Sequence, residues 1–261
     1  MMSDVRETVD VLGVRIDVLC AAQAVRRLED WIQQGDTGRY VTVTGMHGVM
    51  EARDSEEVEL AHEQADMSVP DGVSVTALGR VLGSSSRMSR LTGTTLVREF
   101  CRRTGSRYGH FFYGGPPSVA SQMAANLQRA YGIRVLGCFS PPFRELTASE
   151  RTEIRAMISQ RKPNVLWIGL STPKQELWMR ENCHEVDCNV MVGVGAAFDF
   201  VAGTKERAPG WLRKAGGEWL YRFYKEPVRL RRRVLVQGPR FVALGLWRCL
   251  VNWLTGLRKD N

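Results

Sequence analysis

The sequence predicts an α/β fold in which a mostly parallel sheet is covered by helices on both faces and followed by a basic, helical C-terminal appendage. Three observations carry that expectation. Short β-branched runs alternate with amphipathic stretches of helical length through most of the chain. Apolar residues make up 44% and charged residues 25%, enough to fill a core and too apolar for a disordered chain. The positive charge is confined to one end: Lys205 to Asn261 carries 14 Lys+Arg against 4 Asp+Glu, while the rest of the chain nets −2. We therefore place the boundary so that residues 1–204 form an α/β core and 205–261 the appendage. At the N-terminus, MMSDVRETVDVLGVRIDVL has charges interrupting each apolar run, so neither a signal peptide nor a spanning anchor is expected there.

Taken in order, residues 40–45 (YVTVTG), 110–115 (HFFYGG), 134–139 (RVLGCF), 164–170 (NVLWIGL) and 189–195 (NVMVGVG) have the composition of buried strands. Between them lie residues 92–104, 117–132, 147–161 and 172–183, whose apolar positions recur at three and four and so predict helices. Thr147 and Glu150 form a capping box that opens the third of these. In parallel sheets, ligands bind beyond the carboxyl ends of the strands, which makes the turns after strands the candidate sites.

Four such turns stand out. GGPPS, with Gly114 and Gly115, ends a strand and enters a helix with proline in its first turn; it suits either a phosphate at the helix end or a plain tight turn. STPKQE places Lys174 and Gln175 where they can donate to phosphate or sugar hydroxyls and Glu176 at the positive helix end; the alternative is a solvated first turn. VPDG sets Asp71 just outside a buried segment, as a general base or as ordinary turn chemistry. In GAAFDFVAGTKERAPGW, Asp199 lies between two aromatics where it can pair with Arg207.

The six cysteines include no CxxC pair and read as reduced, which predicts a cytoplasmic protein. CHEVDC (183–188) has no second cluster to complete a zinc site, and no metal is expected. A basic tail predicts phosphate in some form: nucleic acid, an anionic bilayer or a phosphorylated substrate. No nucleic-acid-binding signature accompanies it, and the GxGxxG of a dinucleotide enzyme is missing.

Taken together, VPDG (69–72), RLTG (90–93), YGG (113–115), PKQE (173–176), GVGAAFDFVAG (193–203), RAPGW (207–211) and EWLYRFYKEPVRLRRR (218–233) resemble the WecG/TagA/CpsF family of bacterial glycosyltransferases, in the family's order and over roughly residues 40 to 235. The resemblance implies a Rossmann-like core with a membrane-associating C-terminal appendage. It implies transfer of a sugar, of hexosyl or N-acetylhexosaminyl type with inversion, from a nucleotide diphosphate, typically UDP, to a polyprenyl-diphosphate-linked acceptor in polysaccharide assembly. Carried over by position, Asp71 becomes the base that deprotonates the acceptor hydroxyl, Arg90 and Gln175 pocket residues, and Arg222, Arg229 and Arg232 the cations acting on the diphosphates. On one continuous helix those arginines would fall within about 80 degrees of each other, although Pro227 more naturally opens a second helix.

One departure is visible. Many members have Thr-x-Asn after the first core strand, where this chain has VTVTGMHG (41–48) and supplies no Asn in either register, so Thr44 and His47 are the candidates for local contacts. Because no Asp-x-Asp holds a metal on the donor, arginines are expected to stabilise the leaving group without a cofactor. Residues 241–257 (FVALGLWRCLVNWLTGL) are broken by Arg248 and Asn252 and short of a span of about 20 apolar residues. Trp247 and Trp253 suit a bilayer interface, so an interfacial helix on the cytoplasmic face of the inner membrane is the expectation. A homo-oligomer is left open.

Overall fold

The computed structural model describes residues 6–83, 88–214 and 216–257. It opens with an antiparallel hairpin, β1 (Thr8–Val11) and β2 (Val14–Asp17), that the sequence analysis does not anticipate. The alternation was there, since Val9, Val11, Val14 and Ile16 are all buried, but its turn is Leu12-Gly13 with positive φ at both residues, and leucine is no hairpin signal. Helix α1 (Ala21–Gln34) follows and buries Ala24, Val25, Leu28 and Ile32 at helical spacing.

The core then runs β3 (Arg39–Thr44), α2 (Met46–Asp54), α3 (Glu56–Glu63), β4 (Met67–Pro70), α4 (Gly72–Gly83), α5 (Gly93–Thr104), β5 (Gly109–Gly114), α6 (Val119–Tyr131), β6 (Arg134–Phe139), α7 (Ala148–Arg161), β7 (Val165–Gly169), α8 (Lys174–Asn182), β8 (Val190–Gly193) and α9 (Ala197–Ala202). Six strands form one sheet in the order β4-β3-β8-β7-β5-β6, and every pairing is parallel. All five expected strands and four expected helices are present, as is the Thr147–Glu150 capping box. Strand β4, only four residues long and ending in proline, escaped the sequence reading. The prolines of GGPPS precede α6 rather than occupy its first turn.

Side chains alternate across the sheet as strand geometry requires. From β7, Val165 and Trp167 enter the larger apolar cluster with α1, α5, α6 and α9, while Leu166 and Ile168 enter the cluster with α7 and α8. The sheet is therefore a buried middle layer, and what reaches solvent is its rim.

After α9 come α10 (Gly210–Lys214), α11 (Glu218–Lys225), α12 (Pro227–Arg232), a π-helical turn (Arg233–Gln237) and α13 (Gly238–Leu257). Pro227 is the first residue of α12, where its missing N–H costs nothing. The run from Pro227 to Thr255 is long and apolar enough to cross a membrane by length and composition, in contrast to the short segment expected from residues 241–257 alone. It seats Phe241 in the cluster beneath the hairpin and lays Gly245 against Leu78 of α4.

Candidate active site

Strand register brings the expected turns to one rim. Thr44, Pro70, Gly114, Gly169 and Gly193 are the last residues of five neighbouring strands, so the segments that follow open on a common crevice. The chain after β3 and β7 leaves toward the α3–α8 face and the chain after β5 and β8 toward the α6–α9 face, which splits the rim open.

Asp71 occupies the joint between β4 and α4, not a free turn. Its N–H donates to the Thr44 carbonyl at 2.9 Å, and the Pro70 carbonyl accepts from Leu91 N at 3.0 Å, which carries the Arg90 loop to the same place. Among the described residues no side-chain donor reaches the Asp71 carboxylate. Burial pushes its pKa above the ordinary carboxylate value, opposed by Arg233 most strongly, then by Arg222, with Glu218 raising and Arg90 lowering it. Such a carboxylate is a competent proton acceptor whose basicity is set by named cations. Arg90 itself is exposed.

Gln175 and Glu176 are buried in the first turn of α8, so the solvated alternative for PKQE is excluded; Lys174 alone faces solvent. Glu176 Oε1 accepts from Thr172 Oγ1 (2.9 Å) and Gln175 Nε2 (3.0 Å), leaving Glu176 Oε2 and Gln175 Oε1 without partners. Burial raises the Glu176 pKa, and no cation offsets it. Gly193 leaves room for these side chains, since a Cβ on it would stand 2.7 Å from Met179 Cε and 3.2 Å from Gln175 Nε2 and would displace one or both.

The two glycines of GGPPS join strands. Gly114, at φ 124, passes so close to β7 that a Cβ would lie 2.6 Å from the Gly169 carbonyl carbon, and the Gly115 N–H donates to Gly169 O at 3.0 Å. With Pro116 and Pro117 lacking N–H groups, this turn spends its donors within the protein, which favours the tight-turn alternative. Thr44 is likewise turned inward: its hydroxyl donates to Thr42, which donates to Ser68, each at 3.0 Å, and it lies 3.4 Å from His62 Nδ1.

His47 lies in the first turn of α2 and meets the tail. Its Nδ1 is 2.7 Å from Gln237 Oε1, and Gln237 Nε2 donates to Glu51 Oε1 at 2.7 Å. Burial lowers the His47 pKa, and Arg233 lowers it further. Asp199 and Arg207 do not pair: Asp199 takes Lys205 (3.5 Å), while Arg207 takes Glu218 (3.3 Å) and stacks on Phe200. The reason is the opening of helix α11, which brings Glu218 to the guanidinium first.

The expected arginines separate. Arg222 lies half-buried over the Phe200 ring and acts on Asp71; Arg229 is exposed and paired with Glu226; Arg232 is exposed and does not figure among the charges acting on Asp71. The helix breaks at Glu226, so the three never share one continuous face. The cation that turns inward is Arg233, which sequence reasoning missed along with Gln237 and Glu51. Its pKa is brought down to about 10, chiefly by burial and then by Arg222. In RLRRR nothing marks one arginine over the next, because the π turn that selects it has no sequence signal of its own.

A parallel α/β sheet with a carboxylate in the field of several arginines beyond its strand ends has the arrangement of an enzyme active site. The chain belongs to the WecG/TagA/CpsF glycosyl transferase family, whose family model matches residues 9–255. It is a glycosyltransferase with sugar donor and acceptor substrates.

Proposed function

We propose that this glycosyltransferase moves a sugar from a UDP-sugar to a polyprenyl-diphosphate-linked acceptor during polysaccharide assembly, with inversion and without a metal ion. The observation that carries the reading is the Asp71 carboxylate, unpaired among the described residues yet held in the field of Arg233, Arg222 and Arg90. In this mechanism Asp71 removes the proton from an acceptor hydroxyl as its oxygen attacks the anomeric carbon. The bond from that carbon to the β-phosphate oxygen breaks, and UDP leaves with the electron pair. Arginines receive the charge that a metal would otherwise balance.

The appendage supports a membrane-bound acceptor. Val242, Leu246, Trp247, Leu250, Trp253 and Leu254 of α13 are exposed along one side, while Phe241 and Gly245 on the other pack on protein. A helix seated on its own core by one face and bare on the other fits the plane of a bilayer interface better than a crossing. Arg240 and Arg248 are turned to the core, Arg240 onto Asp54 at 2.6 Å and Arg248 within 3.9 Å of Asp10, so the membrane reading rests on the bare apolar face.

The test is UDP release from a panel of UDP-sugars with a polyprenyl-diphosphate-sugar acceptor in detergent, with and without chelator. Acceptor-dependent release with one donor, unchanged by chelator, is expected; a strict manganese requirement overturns the metal-free mechanism. Deleting Arg240 onward should abolish flotation with anionic liposomes, and unchanged flotation removes the membrane role of α13.

A further inference from the structure

We propose that Arg233 is a substrate-touching residue that binds a diphosphate oxygen in the gap Gly45 leaves in front of Asp71. The proposal rests on the glycosyl-transfer reading for the identity of the diphosphate, but its geometry stands alone. A Cβ placed on Gly45 would lie 3.7 Å from Asp71 Oδ2 and 3.8 Å from Arg233 Nη2. The carboxylate and guanidinium are therefore no more than about twice that distance apart, yet no ion pair within 4.0 Å closes between them. A space bounded by a proton acceptor on one side and a fixed cation on the other suits a reacting hydroxyl beside a phosphoryl oxygen.

How the residue is delivered strengthens the case. Arg231 and Arg232 point to solvent and Arg229 is spent on Glu226, whereas Arg233 begins the π turn that Gln237 ends. Gln237 is buried and pinned by His47 and Glu51 at 2.7 Å each, so the turn is fixed four residues from the guanidinium. A half-buried guanidinium held this way, with no carboxylate at ion-pair distance among the described residues, carries a desolvation cost that bound phosphate offsets. The other charges facing it are Asp71, Arg222, Arg229 and the His47 ring.

Two sources share this chemistry: the diphosphate of the nucleotide donor and that of the lipid acceptor. Calorimetric titration of the full chain in detergent with UDP and, separately, with farnesyl diphosphate distinguishes them. Arg233→Gln should weaken one of the two at least tenfold, Arg233→Lys should retain part of the affinity, and Arg231→Gln should bind as wild type. Loss confined to UDP assigns the donor, and loss confined to farnesyl diphosphate assigns the acceptor. Affinities for both ligands within twofold of wild type, an equal loss in Arg231→Gln, or a wild type that binds neither ligand overturns the proposal.

Should Arg233→Gln fail to fold, Gly45→Ala narrows the gap with one methyl while keeping every charge. The Gly45 φ of −98° accommodates alanine, whose methyl would meet the Asp71 carbonyl oxygen at 3.3 Å and then the gap itself, so wild-type affinity in a folded Gly45→Ala would overturn the proposal as well. With turnover established, Arg233→Gln should also move the acid limb of kcat/KM to higher pH, because Asp71 loses its largest favourable charge; a role confined to holding the tail would leave the limb in place. Arg233-dependent diphosphate binding without transfer from any donor would leave the proposal standing and sink the glycosyl-transfer reading.

Discussion

Asp17 and Glu29 on one side, Asp71 and Glu176 on the other, are acids enclosed by the same protein in opposite ways. Asp17 accepts from Arg6, from Arg27 at 2.7 Å and from the Ser68 N–H at 2.7 Å, and Glu29 is held by Arg103 and Arg107. Asp71 and Glu176, at the carboxyl ends of β4 and β7, have no such partners among the described residues and are pushed toward neutrality. Saturated acids tie the hairpin and α1 to the core; the unsaturated ones follow the ends of β4 and β7 on the rim proposed as the active site. The difference teaches that burial alone marks nothing, and that the missing partner carries the functional signal.

The comparison breaks first at Asp71. Asp71→Asn should lower acceptor-dependent UDP release by about a hundred- to ten-thousand-fold, the range of a lost general base. The thermal midpoint should hold, because an amide at this place no longer pays for enclosing a charge. Activity within tenfold of wild type would move the base elsewhere, with His47 next. Asp17→Asn should behave in reverse: transfer per folded molecule unchanged, stability lower by about 2–3 kcal/mol, discounted from the usual cost of breaking a buried pair because Arg6 and Arg27 keep some solvent. Urea unfolding measures it, and a change below about 0.5 kcal/mol would mean the Asp17 network is replaceable by water.

Much of this was legible in sequence. Periodicity alone placed five of six core strands, because strands buried on both faces read as unbroken β-branched runs. Asp71, Gln175 and Glu176 were found by asking which turns lie just outside buried segments, and Arg90 through the RLTG of the family resemblance; the sheet order then sets the Asp71 and Gln175–Glu176 turns on one rim. What stayed hidden depends on three-dimensional choices among equivalent residues. Arg233 is one of three consecutive arginines, and only the π turn decides that it faces inward. Asp199 and Arg207 looked like a pair by proximity, but Glu218, eleven residues beyond Arg207, arrives by tertiary contact. The glycines of GGPPS looked like a cradle because a cradle and a close strand crossing demand the same residue.

The finest test of the comparison is Glu176→Gln, read as stability against pH. Glu176 Oε1 accepts from two neutral donors and Oε2 has none, while Glu51 adds a like charge. Its folded pKa is raised, so its contribution to stability is fully present below the ordinary unfolded value and is lost as pH rises through the folded one. Glutamine keeps the accepting oxygen and cannot ionise, so it escapes that loss. Its advantage over wild type should grow from acid toward neutral pH by about 1.4 kcal/mol per unit of displacement and then level off. Thermal unfolding of both proteins at pH 4, 6 and 8 reads the difference directly, with other titrations cancelling between them. A gap independent of pH would mean that Glu176 ionises as freely as a solvated glutamate, and the two pairs of acids would then differ in partners but not in energy.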